Sequence, residues 1–265
     1  MPILHLVLVA IVQGITEFLP VSSSGHLILL PNLTGLDDQG LVIDVAVHVG
    51  TLGAVVLYFR RDVARAFGGL FKLSTPSDPD ARLALGLIIA TIPVVIAGLM
   101  LKLSGYDEAL RSIAVVGWTT LIFGIVLYWA DQAGRQEKAS ADWSLKDAFT
   151  MGLWQVLALI PGTSRSGITI TGARQLGYER GEAARLAMLM SIPTILASGA
   201  LLGLEVVATM DVAAARDSAI AAAFAFVAAL LALHFMMRLL RSVSFTPYVI
   251  YRIALGIVLL TLAYT

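Results

Sequence analysis

The chain has 265 residues, 58% of them hydrophobic and only 14% charged, with 18 basic residues balanced by 18 acidic ones. Soluble domains carry roughly 25% charged residues, so lipid is the solvent for much of this surface, and the balanced charge makes no case for a nucleic-acid partner. Cysteine is absent, which excludes disulfides and thiolate chemistry and leaves oxygen and imidazole as the metal donors.

Residues 3–33 are apolar but broken by Pro20 and the run Ser22-Ser23-Ser24-Gly25, which leaves arms too short for the roughly 20 residues of a spanning helix. Gln13 and Glu17 lie in the first arm, and there is neither a basic leader nor a small-residue cleavage site, so a removable signal peptide is not expected. Three unbroken spans follow at 42–59, 83–103 and 113–130. A second broken stretch, 147–176, is interrupted by Pro161-Gly162-Thr163-Ser164-Arg165-Ser166-Gly167, and spans at 184–206, 217–237 and 247–264 complete the chain. Broken backbone at membrane depth is tolerated where protein buries it or where it lines a wet cavity, so both stretches read as re-entrant hairpins.

The two interruptions resemble each other, with Gln13 and Gln155 upstream, and each precedes three spans. A hairpin plus three crossings inverts the next half. The fold class expected is therefore an all-α integral membrane protein, with six transmembrane helices and two re-entrant helical hairpins in an inverted-topology repeat. Its halves are 1–135 and 136–265 of one structural domain. Fourteen basic residues, from Arg60 to Arg252, fall on one side of this layout against Lys102, Arg111 and Arg216 on the other. Short cytoplasmic loops collect Lys and Arg, so both termini are expected outside and the hairpin tips near the bilayer centre. Arg165 alone belongs to neither side.

An arginine at that depth costs roughly 2.5–3.5 kcal/mol on insertion scales and needs an anion. Glu17 could supply it in a structural ion pair. A guanidinium fork at a half-helix N-terminus also suits a phosphate, which is the better account. Gln13 and Glu17, four apart, share a helical face and suit either a Mg²⁺-type site with few protein ligands or an ordinary polar pair. Ser22, Ser23 and Ser24 are helix-cap candidates. His26, three beyond Ser23 and four beyond Ser22, shares their face as a base-assisted nucleophile requires. His48, four beyond Asp44, is expected to make an interior hydrogen bond, and His5 and His234 to have no role. The phosphate-loop, zinc-protease and hydrolase-elbow motifs are missing.

Taken together, Gln13-x-x-x-Glu17, Pro20 to His26, and Pro161-Gly162-x-Ser164-Arg165-Ser166-x-x-Thr169 resemble the integral-membrane undecaprenyl-pyrophosphate phosphatases, also called bacitracin-resistance proteins. Their pattern is (E/Q)-x-x-x-E, then a Pro-Val-Ser-Ser-Ser/Thr-Gly-His run, then P-G-x-S-R-S-x-x-T. The resemblance runs the whole length; Gln13 stands where some members have glutamate. It implies hydrolysis of undecaprenyl diphosphate to the monophosphate carrier used in wall synthesis, with a divalent cation (Mg²⁺ or Ca²⁺). It also implies a bacterial inner membrane and a site facing the periplasm. On this reading Ser23, His26, Glu17 and Arg165 are catalytic, with His26 activating either Ser23 or a water. Arg165, Ser22, Ser24, Ser164, Ser166 and Thr169 hold phosphate, and Glu17 with Gln13 holds the cation. The partner is the polyprenyl diphosphate in its membrane; a homodimer is left open. A lipid-phosphate flippase is the alternative, and a structural scaffold a weaker one.

Overall fold

The computed structural model describes residues 2–35, 39–75, 77–106, 109–207 and 212–265. Among them are eleven α-helices and no β-strand: α1 (Ile3–Thr16), α2 (Ser23–Thr34), α3 (Gly40–Tyr58), α4 (Arg60–Leu70), α5 (Pro79–Ser104), α6 (Ile113–Ala133), α7 (Leu145–Val156), α8 (Arg165–Gln175), α9 (Arg180–Val207), α10 (Val212–Leu239) and α11 (Thr246–Tyr264). The helices α3, α5, α6, α9, α10 and α11 are long and apolar enough to cross a membrane, and they coincide with the six expected spans. Their outward faces carry large apolar side chains such as Ile96, Phe235 and Ile250. A bundle apolar outside as well as inside is what lipid as solvent requires.

Local sequence sets the ends. Asp78 caps α5 by accepting from the amides of Asp80 (2.8 Å) and Ala81 (3.3 Å), Pro79 opens its first turn, and Gly105, at φ 71°, closes it. Ser112 and Ser144 cap α6 and α7 through the amides of Val115 and Asp147. The two broken stretches become α1–α2, interrupted at 17–22, and α7–α8, interrupted at 157–164 with a 3₁₀ turn over Leu157–Leu159.

Packing pairs α3 with α10, α6 with α11, α1 with α10 and α5 with α7. Small residues permit the close approaches, as in membrane helix contacts generally. A Cβ on Gly14 of α1 would lie 2.6 Å from the Ala225 carbonyl of α10, and one on Gly152 of α7 would lie 2.6 Å from the Ala90 carbonyl of α5.

Two features differ from expectation. The basic stretch after α3 is itself a helix, α4, pinned to α9 by two bonds from Arg185 to the Asp62 carboxylate, at 3.1 and 2.5 Å. Arg252, grouped by sequence with the basic residues of the last connection, is fully buried within α11 instead. Its neighbours are carbonyls of the second break, so it does not count toward the charge asymmetry. The asymmetry survives without it. Arg174 at the end of α8 does sit at the basic end, bonded to Asp131 and to the carbonyls of Asp131, Gly134 and Arg135. Asp131 also accepts from Arg180 (2.8 Å) and the Phe245 amide (3.2 Å). This buried cluster ties α6, α8, α9 and the start of α11 together, and removing one member of such a cluster typically costs about 3–5 kcal/mol.

Candidate active site

Each break ends at a serine with left-handed backbone, Ser22 at φ 72° and Ser164 at φ 69°, the two non-glycine residues with positive φ among those described. Such conformations cost of order 1–3 kcal/mol and cluster at functional sites. Here they turn the chain sharply into α2 and α8, so that the residue after each serine, Ser23 or Arg165, opens a helix. In both tips the serine hydroxyl meets that of the serine two residues on, Ser22 with Ser24 and Ser164 with Ser166, at 3.1 Å each.

The tips dock reciprocally. Gly162 donates its amide to Ser24 Oγ at 3.1 Å, and Ser166 Oγ donates to the Leu19 carbonyl at 2.9 Å. Glycine is required at 162: φ is 89°, and a Cβ would fall 2.1 Å from Thr119 Oγ1 and 2.4 Å from the Val116 carbonyl of α6. Helix α11 braces both tips from behind with consecutive residues. Arg252 Nη2 donates to the carbonyls of Gly162 (3.1 Å) and Thr163 (2.9 Å). Tyr251 supports the first tip through His26, whose Nδ1 donates to the Ser22 carbonyl at 2.7 Å and whose Nε2 meets the Tyr251 hydroxyl at 2.6 Å.

Between the tips lies Glu17, buried just after α1. Its carboxylate accepts from Gln13 Nε2 (2.8 Å), from Ser23 Oγ (3.1 Å) and from the Arg165 guanidinium. Arg165 also reaches the Ser191 carbonyl of α9 at 3.5 Å. These groups border a cavity of about 280 Å³. Of the residues expected in the site, Glu17, Ser22, Ser23, Ser24, Ser164 and Arg165 line it. Gln13 sits behind Glu17, fully buried.

Besides Gln13, three expected residues, His26, Ser166 and Thr169, do not line the cavity. Ser23 and His26 do not bond each other: the turn at Ser22 swings the Ser23 hydroxyl onto Glu17, while both His26 nitrogens are taken by Ser22 and Tyr251. Ser166 is committed to Leu19 and Ser164. Thr169, fully buried, donates to the carbonyls of Arg165 and Ser166, at 2.8 and 3.1 Å. Conversely, His48 lines the cavity, with Nε2 3.8 Å from Glu17 Oε2. Its four-residue spacing from Asp44 foretold the bond from Nδ1 to the Asp44 carbonyl (2.7 Å) but not where the other nitrogen points.

The family model described as "Bacitracin resistance protein BacA" matches residues 6–258. The chain belongs to the BacA family. Among its curated relatives, a protein of Ruegeria pomeroyi named undecaprenyl-diphosphatase is 69% identical, and one of the same name from Jannaschia sp. is 68% identical, each over the full length of both chains. A more distant undecaprenyl-diphosphatase, from Chromohalobacter salexigens, is 46% identical over 97% of each chain. With six apolar spans and this family, the chain is a multi-pass membrane protein.

Proposed function

We propose that this chain is an undecaprenyl diphosphatase, which converts undecaprenyl diphosphate to undecaprenyl phosphate and inorganic phosphate. Recycling of the carrier lipid for wall synthesis, and with it bacitracin resistance, follows from that reaction. The observation that carries the reading is the meeting of Ser23 from one tip and Arg165 from the other on a single buried carboxylate, Glu17, beside a cavity.

The geometry suits phosphoryl transfer, which asks mainly for positioning and charge neutralisation. Ser23 points its proton at Glu17 Oε2, which leaves its oxygen lone pairs for phosphorus. As Ser23 Oγ bonds to the terminal phosphorus, its proton passes to Glu17 and the bridging oxygen leaves with the lipid monophosphate. Water then hydrolyses the phosphoserine and restores the hydroxyl. Arg165 keeps N–H donors beyond the one on Glu17, and these take the phosphate oxygens. Ser22, Ser24 and Ser164 line the same wall, and the N-terminus of α8, which opens at Arg165, adds its positive dipole. A lipid-phosphate flippase would not need a hydroxyl held on a carboxylate, so hydrolysis is preferred.

Glu17 and Gln13 fit a divalent cation such as Mg²⁺ or Ca²⁺, because a half-turn of the Gln13 amide, whose buried Oε1 has no partner, presents that oxygen beside the carboxylate. A cation bound there would neutralise phosphate charge.

For the layout we propose two re-entrant hairpins, α1–α2 and α7–α8, in an inverted repeat with halves 1–135 and 136–265. Exchange of the halves supports this, since it carries the packing of α1 on α10 onto α7 on α5, α3 on α10 onto α9 on α5, and α6 on α8 onto α11 on α2. An inner-membrane location with the cavity open to the periplasm is part of the same proposal. In its support, Val94, Thr194 and Ser198 line the cavity from the halves of α5 and α9 remote from their basic ends.

The test is phosphate release from undecaprenyl diphosphate by the purified protein in detergent, with and without EDTA. Release that EDTA suppresses is expected; lipid bound without release defeats the reading.

A further inference from the structure

His48 stands on α3, outside both sequence motifs, and its ring is oriented more tightly than a chance wall residue needs. Nδ1 faces the Asp44 carbonyl at 2.7 Å. A carbonyl only accepts, so Nδ1 carries the proton and the neutral ring keeps its lone pair on Nε2. That lone pair faces inward, with Nε2 3.1 Å from Gln13 Nε2 and 3.8 Å from Glu17 Oε2. Metal-bound histidines have this arrangement at their far nitrogen: the second N–H is held by a carbonyl or carboxylate, which fixes both tautomer and ring plane.

The amide of Gln13 supplies an independent observation. Its Nε2 serves two acceptors, Glu17 and His48, while its fully buried Oε1 has no partner at all. An unpaired buried acceptor carries a desolvation cost of about 1–3 kcal/mol. The two ends of an amide are nearly equal in shape, so a half-turn presents Oε1 to the same neighbours. In that orientation three lone-pair atoms, from an amide, a carboxylate and an imidazole, converge on one point, and a bound cation takes the place that the Gln13 N–H groups otherwise fill.

We propose that His48 Nε2 is a third protein ligand of the cation site, beside Glu17 and Gln13, and that it biases the site toward a first-row transition cation such as Fe²⁺ or Zn²⁺ over Ca²⁺. The proposal rests on the phosphatase reading for the presence of a cation. The bias follows because Ca²⁺ takes oxygen ligands, whereas imidazole suits Fe²⁺ and Zn²⁺; Mn²⁺, the weakest binder of the first-row series, is the paramagnetic probe of the same ligands.

The probe is Mn²⁺ alone, added to the full-length protein in detergent and read by electron spin echo spectroscopy. Wild-type protein should show modulation from a directly bound nitrogen. His48→Gln should lose that modulation and bind Mn²⁺ about tenfold more weakly or worse, while Ca²⁺ affinity changes less. His26→Gln should keep the modulation. Nitrogen coupling that persists in His48→Gln, its absence from wild-type Mn²⁺ spectra, or failure of Mn²⁺ to bind overturns the assignment. Phosphate release is measured on the same samples to separate the two readings. A wild-type protein that hydrolyses the lipid without nitrogen coupling defeats the His48 ligand alone, and nitrogen-coupled Mn²⁺ on a protein that releases no phosphate defeats the phosphatase reading alone.

Discussion

The two tips share a backbone turn but offer different side chains. Ser22 and Ser164 adopt nearly the same left-handed turn, each hydroxyl meets the serine two residues on, and each tip bonds the other's backbone. At the next position the first tip offers the hydroxyl of Ser23 and the second the guanidinium of Arg165, and both close on Glu17. Their supports also differ. Three side chains, Thr119, Thr120 and Arg252, hold the carbonyls of the second tip, whereas the first leans on His26 and, behind it, Tyr251. The like backbone turns thus set position, and the residue after each turn decides which group meets Glu17.

The comparison breaks outright if both tips enter from one face. Because the chain has no cysteine, single introduced cysteines report sidedness as an all-or-none signal. One at Gly105 should label with an impermeant reagent from outside, and those at Ser77 and Gln136 should not; the opposite pattern rules out the inverted layout.

The shared carboxylate and the two divided roles come next. We expect Glu17→Gln and Ser23→Ala each to lose roughly three orders of magnitude in turnover or more, and Arg165→Lys about two to three, since lysine keeps the charge without the fork. Gln13→Ala should lose only about tenfold, and Gln13→Glu should stay active. Phosphate release per folded protein measures these. A stable Ser23→Ala protein with substantial turnover would make water, not Ser23, the attacking group.

Smaller losses should follow from the supports. Arg252→Gln and His26→Ala leave the cavity lining intact but release a tip, so each should lower kcat by about ten- to a hundredfold with little change in KM. Tyr251→Phe, which removes only the outer bond, should cost less than His26→Ala. A His26→Ala loss as large as that of Ser23→Ala would return His26 to the catalytic pair that its spacing suggested.

The smallest effect separates the two turns themselves. Ser22→Gly relieves positive φ and should raise thermal stability by about 1 kcal/mol. Ser164→Gly should gain a few tenths less, because Ser164 Oγ accepts from the Gly167 amide whereas Ser22 makes no such cap bond. Thermal unfolding of both variants checks the order.

The sequence by itself determined the six spans and the two breaks, because apolar runs of spanning length and the Pro-Gly-Ser interruptions act locally. It also brought Glu17, Ser23 and Arg165 forward as one site, since ionisable groups in an apolar chain must find partners. Helical spacing placed Ser23 and His26 on one face, but a shared face permits a contact without choosing it. The strained turn at Ser22 and the approach of α11 chose instead, sending Ser23 to Glu17 and His26 to Tyr251, 225 residues away. Arg252 and His48 were unreadable for the same reason. An arginine near a loop and a histidine on an apolar helix carry no local mark of what they face, and only the packing of α11 and α3 against the two tips decides it.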